Sequence, residues 1–186
     1  MKIKRILFLF LIIISINPYK IYAITDNNES REQATDTTSY SSLNSIIHAL
    51  YKAVDFKKGE TPDWKSFTPL FIKNANLVSV KDDKYLQMSP DDFVQRFQEQ
   101  VTSGLLQNFT EKEIHRITEQ FGNIVHVFST YQSDYIMNDK PHHVRGINSI
   151  QLIIQKGHYK VLSIMWYEED ASHKIPDKYL PATNNI

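Results

Sequence analysis

The 186-residue sequence contains no cysteine. Disulfides, thiolate metal sites and a cysteine nucleophile are therefore excluded. Glycine is scarce, five residues in all, and no glycine-rich phosphate loop occurs. The G-x-S-x-G nucleophile elbow and the H-E-x-x-H zinc motif are also missing. Charge of one sign is absent: 21 Lys and Arg stand against 21 Asp and Glu, a formal net of zero. A nucleic-acid binder normally carries a basic excess, so that class loses support. Internal repeats and low-complexity blocks are absent. What remains is ordinary globular composition, 41% hydrophobic and 23% charged, which argues against disorder and collagen. The length suits one domain with a core large enough to need no staples.

The one long apolar run is at the start. Lys2, Lys4 and Arg5 precede the stretch Ile6 to Ile16, and Asn17-Pro18 breaks it. A run of eleven residues, Ser15 its one polar member, is too short to span a bilayer, which takes about 20 apolar residues. Residues 1–23 therefore read as a signal peptide with Ala23 at the cleavage position. No cysteine follows, so no lipoprotein attachment site exists. The expectation is export to a periplasmic or extracellular compartment, with no membrane association after cleavage. Residues 1–23 also hold Lys2, Lys4, Arg5 and Lys20 and no acid. Without those four, 17 basic side chains face 21 acidic ones, a net of −4.

Residues 24–41 are polar and read as a flexible linker. Leu43, Ile46, Ile47, Leu50, Tyr51 and Val54 then recur at helical spacing and predict an amphipathic helix. Thr61-Pro62-Asp63 starts a short helix faced by Trp64, Phe67 and Phe71. Asn76 to Val80 and Tyr85 to Met88 read as a small hairpin. Ser89-Pro90 caps a third helix carrying Phe93, Phe97, Val101 and Leu105. From Ile114 the chain is rich in Ile, Val, Tyr, Thr and Phe. The segments Ile114 to Phe121, Ile124 to Ile136, Val144 to Gln155 and His158 to Glu168 predict about four long antiparallel strands. Gly122-Asn123 and Lys156-Gly157 read as hairpin turns, and Met137 to His143 as a longer connection. Residues 170–186 form a polar tail. Three helices must cover one face of such a sheet, which gives a two-layer α+β domain over residues 42–169.

Three pieces of sequence carry a resemblance. DWKSFTPLF (Asp63 to Phe71), FGNIVHVFSTYQ (Phe121 to Gln132) and RGINSIQLIIQKGHYKVLSIMWYEE (Arg145 to Glu169) occur in the order and spacing of a known superfamily. The chain resembles the nuclear-transport-factor-2-like superfamily, its SnoaL-like branch most closely. The family commonly has Trp where this chain has Tyr159. The resemblance implies a cone-shaped fold, three N-terminal helices packed on a strongly curved antiparallel sheet, with a pocket at the open end. Members include isomerases, dehydratases, cyclases and hydrolases, besides ligand-binding and association modules. The fold alone does not choose among them. Catalytic members place an Asp, His, Tyr or Arg in the pocket, and this chain matches no single catalytic set.

The residue types themselves nominate candidates. His126 lies mid-strand and titrates near neutrality, so it suits a general base if its face lines the pocket. If not, it is a surface or interface histidine. Glu168 lies at a strand end near Trp166 and Tyr131, where burial would raise its pKa and make it an acid or base; a solvated strand-end residue is the competing reading. Arg145 could hold a carboxylate or phosphate, or make a structural ion pair with Glu168 or Glu169. Trp64, Phe67, Phe71, Phe93 and Phe97 either line an apolar pocket or fill the core. Asp63 reads as a helix cap. His142-His143 is the tight pair among seven histidines, but neighbours on a strand point to opposite faces. No metal or other cofactor is expected.

Three functions follow as expectations. The first is binding of a small, largely apolar molecule, in a homodimer formed through the outer sheet face. Ile147, Ser149, Gln151 and Ile153, a half-polar strand face, motivate that dimer. The second is a cofactor-independent isomerase, cyclase or dehydratase using His126 or an acid. The third is an association module without a ligand. No nucleic-acid partner is expected.

Overall fold

The computed structural model describes residues 40–182. The expected signal peptide, and the linker apart from its last two residues, lie outside them. Helix α1 (Leu43–Lys52) opens on a reciprocal cap, in which Ser42 accepts from the Ser45 backbone N–H and Ser45 reaches back. It buries Ile46, Ile47, Leu50 and Tyr51, the face that the helical spacing picks out. Helix α2 (Trp64–Phe67) is one turn capped by Asp63, whose carboxylate accepts from the Ser66 N–H and hydroxyl. A 3-10 turn at Thr68–Leu70 follows it. Helix α3 (Pro90–Thr102) starts on a second box, Ser89 with Asp92, with proline in its first turn. The hydroxyl and backbone N–H of Ser89 hold the Asp92 carboxyl below its ordinary value.

The strands are β1 (Phe71–Lys81), β2 (Lys84–Met88), β3 (Leu106–Phe121), β4 (Ile124–Met137), β5 (Lys140–Gln155) and β6 (His158–Glu168). They form one open sheet in the order β2-β1-β6-β5-β4-β3. The β3–β6 meander is antiparallel as expected. The small hairpin is not separate from it: β1 runs parallel to β6 and brings β2 along. The sheet is thus mixed and six-stranded. Residues 137–143 are not a long connection either. Asn138 and Asp139, both at positive φ, make a two-residue turn, the geometry whose twist matches flanking strands. Pro141 is accommodated inside β5 because β5 pairs β6 only from Gly146 onward, which leaves no ladder bond for a proline to break.

The helices cover one face, called inner below. On β4 the inner positions are Val125, Val127, Ser129, Tyr131, Ser133, Tyr135 and Met137, all buried. The opposite, outer face is covered in part by the segment after β6. Glu169 receives a two-pronged contact from Arg145 and accepts the Ile175 N–H. Tyr179 packs on Phe128, and its carbonyl accepts the Thr130 hydroxyl at 2.5 Å. The polar tail is therefore held against the sheet as far as these contacts reach.

Candidate functional site

The inner face carries two neighbouring regions. The first is aromatic. Trp64 packs edge-on against Phe67, Phe93 and Phe97, with centroids 5.3–6.4 Å apart. Phe67 touches Phe71 and Phe93. Phe93 reaches Trp166 on β6, and Phe97 reaches Phe56 and Phe109. The five expected aromatics are thus one cluster, delivered by α2, the start of β1 and α3. Phe67, Phe71 and Phe97 are buried, whereas Trp64, Phe93 and Trp166 keep part of their surface open. The Trp64 indole N–H is satisfied by Gln98 at 2.7 Å.

The second region is polar, and its hydrogen bonds have a fixed direction. The Ser129 hydroxyl donates to Glu113 Oε1 at 2.6 Å. A hydroxyl has one proton, so Ser129 accepts from Tyr51, 2.7 Å away. The Tyr51 oxygen in turn accepts the Asn148 amide at 3.0 Å. Asn148 also donates toward Glu111. The Ser133 hydroxyl donates to Glu111 Oε2 at 2.6 Å, and the Glu111 backbone N–H binds Asp55 at 2.9 Å. Five elements or loops therefore meet here: α1, the segment after it, β3, β4 and β5. At the far end of this chain Arg116 pairs with Glu113 at 3.2 Å and with Asn44 at 2.6 Å. Its Nη1 is buried without a partner, as are Asn108 Oδ1 and His158 Nδ1, among the described residues.

Burial sets the acidity of this region. The Glu111 carboxyl is pushed up to about 7 by removal from water, with the Asp55 charge adding to the rise; Ser133 and Asn148 oppose it. Glu168 is also raised by burial, against the pull of Lys81. The Tyr131 phenol is raised well above its ordinary value by burial and by the charges of Glu111 and Glu168. It stays protonated at any ordinary pH, so it is a hydrogen-bonding group and not a base. Burial and Glu168 push Tyr135 up to about 12.

Tyr131 feels the charge of both acids. Its cross-strand partner is Gly146, whose other partner is Glu168. A Cβ at Gly146 would overlap the Tyr131 hydroxyl and come within 2.6 Å of the Tyr167 carbonyl oxygen. The glycine at this position thus makes room for the phenol, which is why an otherwise β-forming strand carries it.

The structure splits the expected site residues. Tyr131, Trp166 and Glu168 share the inner face with the aromatic cluster. His126 is on the outer face, with its ring at Ser149 (3.1 Å) and Glu119 (3.7 Å). It shares parity with Phe128 and Thr130, both contacted by Tyr179. A base between helices and sheet cannot come from that position. Arg145 is likewise outward and pairs with Glu169, at 2.8 and 3.0 Å; of the two partners weighed, Glu168 is not the one. His142 and His143 part as adjacent strand residues must. His142 stacks flat on Tyr135, 4.8 Å between centroids, and His143 pairs outward with Asp134 at 2.6 Å. Among the described residues no group of three or more metal-binding side chains comes together. The sequence alone does not single out Glu111, Tyr51 or Asn148 as site residues. The available signal was Glu111-Lys112-Glu113, two acids on one strand face, hidden because the strand was expected to begin at Ile114.

An open six-stranded sheet with three helices on its inner face and a polar patch beside an aromatic one defines a cone-shaped α+β protein. Comparison with solved structures gives that class its name. A protein from Streptomyces avermitilis assigned as a dehydratase of the nuclear-transport-factor-2-like family superposes with a TM-score of 0.53 at 9% identity, over 69% of this chain and 94% of that one. LinA superposes with a TM-score of 0.53 at 10% identity, over 72% and 93%. A nuclear-transport-factor-2-like superfamily protein from Salmonella enterica gives 0.51 at 11% identity, over 72% and 89%. The chain has the nuclear-transport-factor-2-like fold. No family model matches its sequence, and no curated protein matches it.

Proposed function

We propose that this is an exported, SnoaL-like protein that holds a small molecule between its helices and its sheet. The polar end of that molecule would rest on Glu111, Tyr131 and Glu168, and its apolar body against Phe93 and Trp166. The observation that carries this reading is the juxtaposition on one face of two burial-raised carboxyls, a phenol that feels both charges and a half-open aromatic edge. Small-molecule sites have this make-up, mostly apolar walls with a few convergent polar groups. The partial exposure of Trp64, Phe93 and Trp166 weighs against a core closed entirely on itself, which the association-module reading requires. Native mass spectrometry of the purified protein is the test. A reproducible extra mass that disappears in Trp166→Ala supports the reading, and a clean mass after purification at neutral pH with no ligand found in a fragment screen overturns it.

A second reading is favoured by Glu111. A carboxyl titrating near 7 exchanges protons efficiently at neutral pH. A phenol close by can donate to an oxygen that gains charge in the transition state. Isomerisation or dehydration by proton transfer alone would use these two groups, with Glu111 in the role first considered for His126. Glu111→Gln would then abolish turnover and leave ligand affinity within about threefold, since only the proton is lost. Homodimerisation through the outer face stays a proposal with a narrower site: a second copy would meet Ile147 and Met165, because the tail already occupies Phe128 and Thr130.

A further inference from the structure

We propose that the inner-face site selects a cationic amine, its ammonium group seated between Glu111 and Glu168 against Tyr131 and Tyr135, its apolar body along Trp166 and Phe93. This rests on the reading that the inner face holds a small molecule, and it deepens that reading by naming a ligand class.

Charge balance comes first. Glu113 is matched by Arg116 at 3.2 Å, and Asp55 by Lys52 at 3.2 Å. Among the described residues Glu111 is met by neutral donors, the Ser133 hydroxyl and the Asn148 amide. Arg116 cannot serve it: that side chain is opposite Ser129, four residues along β4 from Ser133, which faces Glu111. Glu168 feels Lys81, but Asp170 repels it. Among the described residues the face therefore presents a carboxyl without a countercharge, and a second one on which Lys81 and Asp170 act in opposite senses.

The tyrosines supply an independent observation. Tyr131 and Tyr135 are each 5% exposed, and among the described residues neither hydroxyl has a hydrogen-bond partner. Buried hydroxyls are ordinarily paired. An ammonium group brings three donors, which suit these oxygens and the carboxylates together.

Ring faces complete the site. Both faces of Tyr135 are covered, by Phe109 and His142 at 5.8 and 4.8 Å, so it offers only its hydroxyl; the open ring is the half-exposed Trp166, two residues before Glu168 on the same strand face. Rings beside a desolvated carboxylate attract a cation through their quadrupoles. An anion would meet like charge here. A neutral ligand would strip water from two carboxyls and return no countercharge.

Three probes of one size separate the possibilities: phenethylammonium, phenethyl alcohol and phenylacetate, titrated calorimetrically into the purified protein at about pH 8, where carboxyls and amine are ionised. The expected result is ammonium binding about tenfold or more tighter than the alcohol, with phenylacetate weakest. Glu168→Gln should bring the ammonium affinity toward that of the alcohol, with a single cooperative urea transition as the folding control. Equal binding of ammonium and alcohol, or preference for phenylacetate, overturns the cation assignment and leaves the binding site standing. Failure of all three at millimolar concentration overturns both.

Discussion

Replacing Glu111 by Gln should remove a stability penalty that grows as pH rises. The carboxyl goes from an ordinary value of 4.5 to about 7 in the folded chain. Between those two values the folded state holds a proton that the unfolded state has released. Folding stability therefore falls as pH increases across that window. Each tenfold change in proton affinity is worth about 1.4 kcal/mol, so the full penalty above pH 7 is about 3 kcal/mol. Below pH 4.5 it is absent, because the group is neutral in both states. Glutamine keeps the shape and can still accept from Ser133, but never ionises.

The assay is urea unfolding of wild type and Glu111→Gln at half-unit steps from about pH 4 to pH 8.5. Taking the mutant-minus-wild-type difference removes groups that titrate alike in both proteins, Glu168 and the histidines among them. The variant should gain about 3 kcal/mol relative to wild type on passing from the acid end to the alkaline end. A flat difference would mean that Glu111 is solvated. A difference of opposite sign would mean that a cation stabilises its charge, and either result refutes the buried, uncompensated carboxylate.

Other consequences follow from packing and placement. Phe97 is 5% exposed and touches Phe56, Trp64, Phe93 and Phe109, so Phe97→Ala should cost about 3–5 kcal/mol in chemical denaturation; Phe93→Ala, at a part-open ring, should cost clearly less. Gly146→Ala drives a methyl into the Tyr131 phenol and the Tyr167 carbonyl, and should lose about 1–3 kcal/mol by thermal or urea unfolding. Ser89→Ala removes the cap of α3 and should lose about 1 kcal/mol. His126→Ala should leave the affinity of any inner-face ligand unchanged in calorimetry, because the ring is on the other side of the sheet; a loss would contradict the assignment of faces.

Local signals were strong wherever one residue type does one job. Ser42, Asp63 and Ser89 mark three helix starts, and the apolar spacing of α1 picks out the face that is buried. Two-residue turns were legible at Gly122-Asn123 and Lys156-Gly157, where glycine announces them. They were not legible at Asn138-Asp139, where two non-glycine residues take the same positive φ and a nearby proline suggests a loop. The parallel pairing of β1 with β6 joins residues 87 to 90 positions apart, and no local pattern encodes it.

The harder failure concerns faces. Ser129, Thr130 and Tyr131 are consecutive on β4 and 0%, 0% and 5% exposed. Helices bury one side of the strand there and the tail segment around Tyr179 buries the other. Alternation identifies an inner face only when the outer one is wet, so at this point the period-two pattern that would have placed His126 outside disappears. The same double cover hides the polar patch: Ser129 and Ser133 look like surface residues until Tyr51 and Glu111 are found against them. A buried acid with neutral donors is also a long-range arrangement, assembled from α1, β3, β4 and β5. Its chemistry belongs to the register of the sheet, which brings Glu111 opposite Ser133 and Glu168 opposite Gly146, and a shift of one residue in either pairing would turn the acid out to the other face.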